Sequence, residues 1–208
     1  MKVLVIYSED SSPTRITARA ARECIRIFKR AGHDAKLVKV YALAKNYAIG
    51  LIFRSLFKIH KHDIICYFGH GSPDKLWGQL PIALLSPILT LKWADLVEGK
   101  IVYTVACLSA RELGPATRAR AYFGSTYYMF VGYPYKGYPY DRDFIDTFLV
   151  IPKALASGRD DYEDMLSEYK DRCMEYALKY EDKRIPGWQD YSYAMRINAT
   201  YYTLIRGL

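Results

Sequence analysis

His70 and Cys107 each stand at the end of an apolar run: DIICYFG leads into the imidazole, and KIVYTVA leads into the thiol. A thiol and an imidazole brought together make a cysteine nucleophile system, in which sulfur attacks a carbonyl carbon and the ring moves the protons. Gly69 and Gly71 flank His70 and permit a sharp loop with close backbone approach. The N–H groups of Gly71 and Cys107 could converge as an oxyanion hole, and Ala106 leaves room beside the sulfur. Cys66 sits inside DIICYF, where an apolar setting keeps a thiol inert, so it is expected to be a core residue.

Other chemistries lack the residues or spacings they need. Gly132 and Gly137 have the spacing of a phosphate-binding loop, but Tyr138 stands where its lysine should be. Glu9 and Asp10 follow the first apolar run where a dinucleotide loop needs bare backbone. Six residues beyond Cys107 is Leu113 rather than the arginine of a phosphatase loop. His60 and His62 have no partner ligands, and the four cysteines show no CxxC spacing. No metal and no cofactor are expected.

These residues need a scaffold that delivers strand ends to one place. Residues 2–8, 35–40, 63–69, 100–107 and 126–132 read as strands, continuously apolar or nearly so. Residues 14–31 and 41–60 read as helices, and so do 143–156, 160–179 and 191–206. Alternating apolar strands and helices predict an open, mainly parallel sheet with helices on both faces, the α/β class. Ligands of such sheets bind beyond the carboxyl ends of the strands, where His70 and Cys107 fall. The expected organisation is one domain over 1–180, with a C-terminal helical extension, 181–208, packed on it. A Tyr/Pro/Gly loop spans 133–140.

Composition sets the outer bounds. At 208 residues, 51% hydrophobic and 25% charged, the chain can bury a sizeable core. The longest apolar run, 80–91, is interrupted by Pro81 and Pro87 and is too short to span a bilayer, and MKVLVIYSED lacks the features of a signal peptide. A soluble cytoplasmic protein with no membrane partner is expected. With only two Gln and two Asn, the chain has the shortage of thermolabile amides found in some thermophile proteins. Residues 1–80 carry 14 Lys+Arg against 6 Asp+Glu, which accounts for the whole net charge of +8. Arg15, Arg19, Arg22, Arg26 and Arg30 recur at helical spacing, opposite Ile16, Ala20, Cys24, Ile27 and Phe28. Such a stripe could neutralise nucleic-acid phosphates, and it is also what the wet face of an amphipathic helix looks like.

The FGHG and VAC motifs, with His before Cys, resemble the caspase-like cysteine peptidases of clan CD. The nearest pattern is that of CHAT-type domains. The hairpin-like DKLWG at 74–78, the lead-in and cysteine loop at 89–114, and the segments 119–133 and 143–166 carry the resemblance further. It covers about residues 1–180 as architecture. The Tyr-rich loop 133–140 departs from the Trp-containing segment usual in CHAT domains, and the last helix has no counterpart. The resemblance implies an endopeptidase with His70 and Cys107 as its dyad and Gly71 and Cys107 as its oxyanion hole. It also implies a pocket for the residue before the scissile bond (P1). Asp141 and Asp143 would favour a basic P1 and Arg111 an acidic one; the balance leans to basic. The alternatives are an inactive caspase-like scaffold and a basic nucleic-acid-binding protein.

Overall fold

The computed structural model describes residues 1–40, 58–78, 87–131, 140–184 and 186–207. In chain order its strands are β1 (Lys2–Tyr7), β2 (Asp34–Lys39), β3 (Ile64–Phe68), β4 (Gly71–Ser72), β5 (Lys75–Trp77), β6 (Pro87–Thr90), β7 (Ile101–Val105), β8 (Ala121–Ser125) and β9 (Tyr202–Ile205). Its α-helices are α1 (Ser12–Arg30), α2 (Leu113–Ala116), α3 (Tyr140–Phe148), α4 (Val150–Ala156), α5 (Tyr162–Lys183) and α6 (Trp188–Tyr201).

Six strands form the main sheet in the order β2-β1-β3-β7-β8-β9, parallel throughout except for β9, which runs antiparallel to β8 at the edge. This is the expected α/β class with a mainly parallel sheet. The alternating residues of β1 and β3 explain why both read as unbroken apolar runs. Val3, Val5, Ile64, Cys66 and Phe68 enter the core beneath α1 and α3–α6, while Leu4, Ile6, Ile65 and Tyr67 enter a second core against Ile88, Leu89, Val97 and Leu113. No described helix is long and apolar enough to cross a membrane.

Helix α1 starts where its residues require. Ser11 caps it with its hydroxyl on the Thr14 N–H, Thr14 returns the bond to the Ser11 backbone, and Pro13 occupies the first turn, where its missing N–H costs nothing. Arg15, Arg19, Arg26 and Arg30 are exposed as the helical spacing predicts. Arg22 is half-buried and pairs with Glu9 at 2.5 Å, and Arg19 pairs with Asp141 at 2.9 Å. The stripe is thus partly neutralised within the fold.

Three expected elements come out differently. The strand expected at 126–132 lies instead at 121–125. Gly124 lies within that strand at a close approach that only glycine fits, since a Cβ there would meet Ser109 Oγ at 2.7 Å and Thr104 Oγ1 at 2.8 Å. The helix expected at 143–156 is two helices. A continuous helix would need Pro152 to donate to the Phe148 carbonyl, which instead accepts from Tyr103 Oη at 2.8 Å. The helix expected at 191–206 ends at Tyr201, and Tyr202–Ile205 becomes the edge strand, with Tyr202 Oη donating to the Thr104 carbonyl at 2.7 Å. The C-terminal extension therefore contributes a strand to the main sheet. Most of the helix expected at 41–60, and the loop 133–139, lie outside the described residues.

Candidate active site

Strands β3 and β7 are parallel neighbours near the middle of the sheet, with Ile64 opposite Ile101 and Phe68 opposite Val105. His70 and Cys107 each stand two residues beyond the end of this ladder, so the register sets them level at the same carboxyl edge. Both line one cleft of about 550 Å³.

The loop carrying His70 is held from below. Gly69 N–H donates to the Val105 carbonyl at 3.1 Å, and the Tyr67 hydroxyl donates to the carbonyls of His70 (2.9 Å) and Trp77. Burial, reinforced by the charge of Asp10, pushes the Tyr67 hydroxyl well above its ordinary range, so it remains a donor. In the small β4-β5-β6 sheet, Trp77 N–H donates to the His70 carbonyl at 3.0 Å, and Gly71 faces Leu76. That makes Gly71 a non-hydrogen-bonded position of the hairpin, so its own N–H points away from β5. A Cβ on Gly71 would lie 2.4 Å from the Cys107 carbonyl oxygen. The two expected oxyanion donors thus belong to backbone segments in direct contact. Gly71→Ala is expected to force them apart, lowering kcat on a peptide substrate at least tenfold and the stability by about 1–3 kcal/mol, as overpacking does; thermal melting and steady-state kinetics on the variant check this.

Beyond Cys107 the chain turns sharply. Leu108 adopts φ +56°, a left-handed conformation that costs a branched side chain roughly 1–2 kcal/mol. The turn is held by the Leu108 N–H on Tyr127 O at 2.9 Å and by buried Ser109, whose Oγ meets Thr104 Oγ1 at 2.8 Å. The Cys107 sulfur accepts from the Met129 N–H at 3.4 Å and donates towards Met129 O at 3.8 Å. Burial pushes the Cys107 thiol above the ordinary cysteine value, partly offset by the amides of Met129 and of Cys107 itself. In the ligand-free protein it is a neutral thiol at physiological pH.

The chain matches no protein-family model and no curated protein sequence.

The geometry of the site also brings in a residue outside both motifs. Asp10 follows β1, the other parallel neighbour of β3, and its Oδ1 lies 3.0 Å from His70 Nε2. The Asp10 side chain is 1% exposed and that of His70 is 25% exposed. Thr14 Oγ1 also donates to Asp10 Oδ1 at 2.9 Å, so the capping residues of α1 hold the carboxyl in place at the positive end of the helix. A carboxylate only accepts, so in the neutral ring the hydrogen belongs on Nε2 and the lone pair on Nδ1. The signal for it in the sequence is SEDSSPT, an acid at the end of a strand just before a helix cap.

The cleft walls also depart from expectation. One wall is Met129, Phe130 and Val131, in the segment expected to be a strand. The other is α6, through Tyr191, Tyr193 and Ala194, with Pro13 and Asp190 completing the lining. Asn198 of α6 clamps the two walls together: its Oδ1 accepts the Phe130 N–H at 3.0 Å, and its Nδ2 donates to Phe130 O at 2.7 Å. The expected pocket residues Asp141, Asp143 and Arg111 are not part of this lining. Asp141 pairs with Arg19 at the surface. Asp143 is buried, accepting from Lys179 Nζ at 3.0 Å and Tyr180 Oη at 2.6 Å. Arg111 is exposed beyond the cysteine turn. Among the described residues no three His, Cys, Asp or Glu side chains gather to hold a metal, and His62 Nδ1 is occupied with Lys58 O.

Proposed function

We propose that this protein is a cysteine endopeptidase of the caspase-like type, with Cys107 as nucleophile, His70 as general acid and base, and Asp10 behind the ring. The observation that carries the reading is the placement of His70 and Cys107 in one cleft at the level carboxyl ends of adjacent parallel strands, with a buried carboxylate on His70 Nε2.

Because the resting thiol is neutral, attack and proton removal are coupled. As sulfur bonds to the scissile carbonyl carbon, the S–H proton passes to His70 Nδ1, and the imidazolium keeps its Nε2–H on Asp10. The carbonyl oxygen becomes an oxyanion facing the N–H groups of Gly71 and Cys107, which exist before the charge does and need little reorganisation. The tetrahedral intermediate collapses by breaking the C–N bond, the departing nitrogen takes the proton from Nδ1, and a thioester on Cys107 remains. Water then gives a proton to Nδ1 while its oxygen attacks the thioester. The S–C bond breaks, and sulfur recovers the proton as the acid product leaves.

A panel of peptidyl acyloxymethyl ketones with basic, acidic and amide P1 residues tests the assignment. Stoichiometric adduct on Cys107, mapped by mass spectrometry, is the expected result. The raised thiol favours a second reading, an inactive scaffold of the same fold, and the absence of any adduct across the panel would decide for it.

A further inference from the structure

We infer that Asp190, on the C-terminal helix α6, selects substrates by binding a cationic side chain, that of Lys or Arg, in the cleft beside Cys107. The inference deepens the peptidase reading and rests on it for the identity of the bond cut, though not for the binding itself.

The cleft is largely apolar and aromatic. Phe130 and Tyr193 face each other edge to face with ring centroids 5.9 Å apart, and Tyr193 is 57% exposed. Among the described residues that line the cleft, Asp190 is, apart from His70 in the dyad, the only ionisable side chain other than tyrosine and cysteine. A long aliphatic stem ending in a cation fits such a surface: the methylenes cover the apolar wall, the cation lies over aromatic faces, and the charge ends on a carboxylate.

The carboxylates nearby are already committed. Asp10 serves His70 and Thr14, Glu9 holds Arg22 and Lys39, Asp141 holds Arg19, and Asp143 holds Lys179. Glu181 accepts a bidentate pair from Arg196, which ties α6 to α5. Asp190 makes no ion pair or hydrogen bond with any described residue, in a chain whose net charge is +8. An acid with no partner among the described residues, in a net-basic protein and in the same cleft lining as Cys107, is complementary to a cation brought by the substrate. Its element is also fixed: Arg196–Glu181 anchors α6 from behind, the Asn198 clamp joins it to the opposite wall, and Tyr191 stacks on Tyr140 at 3.7 Å. Asp190 and Tyr193, three residues apart, therefore present one rigid face.

The test uses two peptides identical except at P1, arginine in one and citrulline, its neutral isostere, in the other. Binding is read by fluorescence anisotropy on the full chain carrying Cys107→Ala, where nothing can turn over, and cleavage is read on the wild type. Asp190 is exposed, so arginine is expected to bind about two- to fivefold tighter than citrulline, the scale of a solvent-exposed ion pair. Asp190→Asn should erase that preference while leaving citrulline binding within twofold, Asp190→Glu should restore part of it, and Asp190→Lys should turn preference to a glutamate peptide. Equal binding of the two peptides, binding of neither, or an equal loss for both in Asp190→Asn overturns the inference. Arginine-selective, Asp190-dependent binding without cleavage by the wild type upholds the inference and removes the peptidase reading instead.

Discussion

Cys107→Ala is expected to abolish both peptide hydrolysis and covalent labelling, while Cys66→Ala leaves labelling intact. The four thiols differ in setting rather than in chemistry. Cys24, Cys66 and Cys173 are fully buried, and Cys107 alone is partly accessible. Cys24 lies against Cys66 in the core between α1 and β3, and burial pushes its thiol well up. Burial likewise pushes Cys173 up to about 12. Cys107 is raised too, which gives the experiment a pH arm. Iodoacetamide reacts with thiolate, so alkylation of Cys107 in the resting protein should be slower at pH 7 than that of free cysteine. It should keep rising above the pH at which free cysteine levels off. A substrate-like ketone that approaches His70 should escape this limit, because sulfur can lose its proton to Nδ1 during attack. His70→Ala should then cut hydrolysis by about 100-fold or more, the scale of a lost general acid–base. It should also lower ketone labelling far more than iodoacetamide labelling. Labelling at Cys66 in place of Cys107 would show that the nucleophile is misassigned.

The sequence carried the strand ends but not the walls between them. His70 and Cys107 were legible because each closes a run buried on both faces, and such runs are visible without knowing what they pack against. The level register of β3 and β7, which sets the two residues at one edge, is fixed by the folded sheet and not by either run alone. Asp10 was harder to see. Its partner is 60 residues away, and only the pairing of β1 with β3 brings the two loops together. Met129 and Phe130 read as strand because TYYMFVG has the composition of one. In the fold its amides serve the Cys107 sulfur and Asn198 instead of a neighbouring strand. Asp190 gave no local signal at all. An acid in the first turn of a helix normally serves the helix dipole, and nothing in its neighbours shows that this turn borders a cleft built from β3, β7 and 129–131. Asp141 and Asp143 had the more suggestive position in sequence, yet they face α1 and α5, where cations of the same chain meet them.

Asp10→Asn is expected to lower kcat by about 100-fold or more with KM and melting temperature nearly unchanged, the pattern of a lost interaction that matters most when the ring is charged. The asparagine keeps the shape, and through its carbonyl oxygen it can still accept the Nε2–H and the Thr14 hydroxyl. What it removes is the negative charge that stabilises imidazolium at the moment Nδ1 holds the thiol proton. Asp10→Ala removes the acceptor as well. The Nε2–H then loses its partner, the ring is free to carry its hydrogen on either nitrogen, and the α1 cap loses the Thr14–Asp10 bond, worth about 1 kcal/mol. The two variants therefore separate the roles. The ¹⁵N shifts of the His70 ring in the uncharged state should report an Nε2–H tautomer in the wild type and in Asp10→Asn, and a mixture in Asp10→Ala. A structural role alone would lower the melting temperature of Asp10→Ala while kcat stays at the wild-type level in Asp10→Asn. An Asp10→Asn variant with wild-type kcat would show that the dyad works without the carboxylate, and that the buried acid belongs to the helix cap.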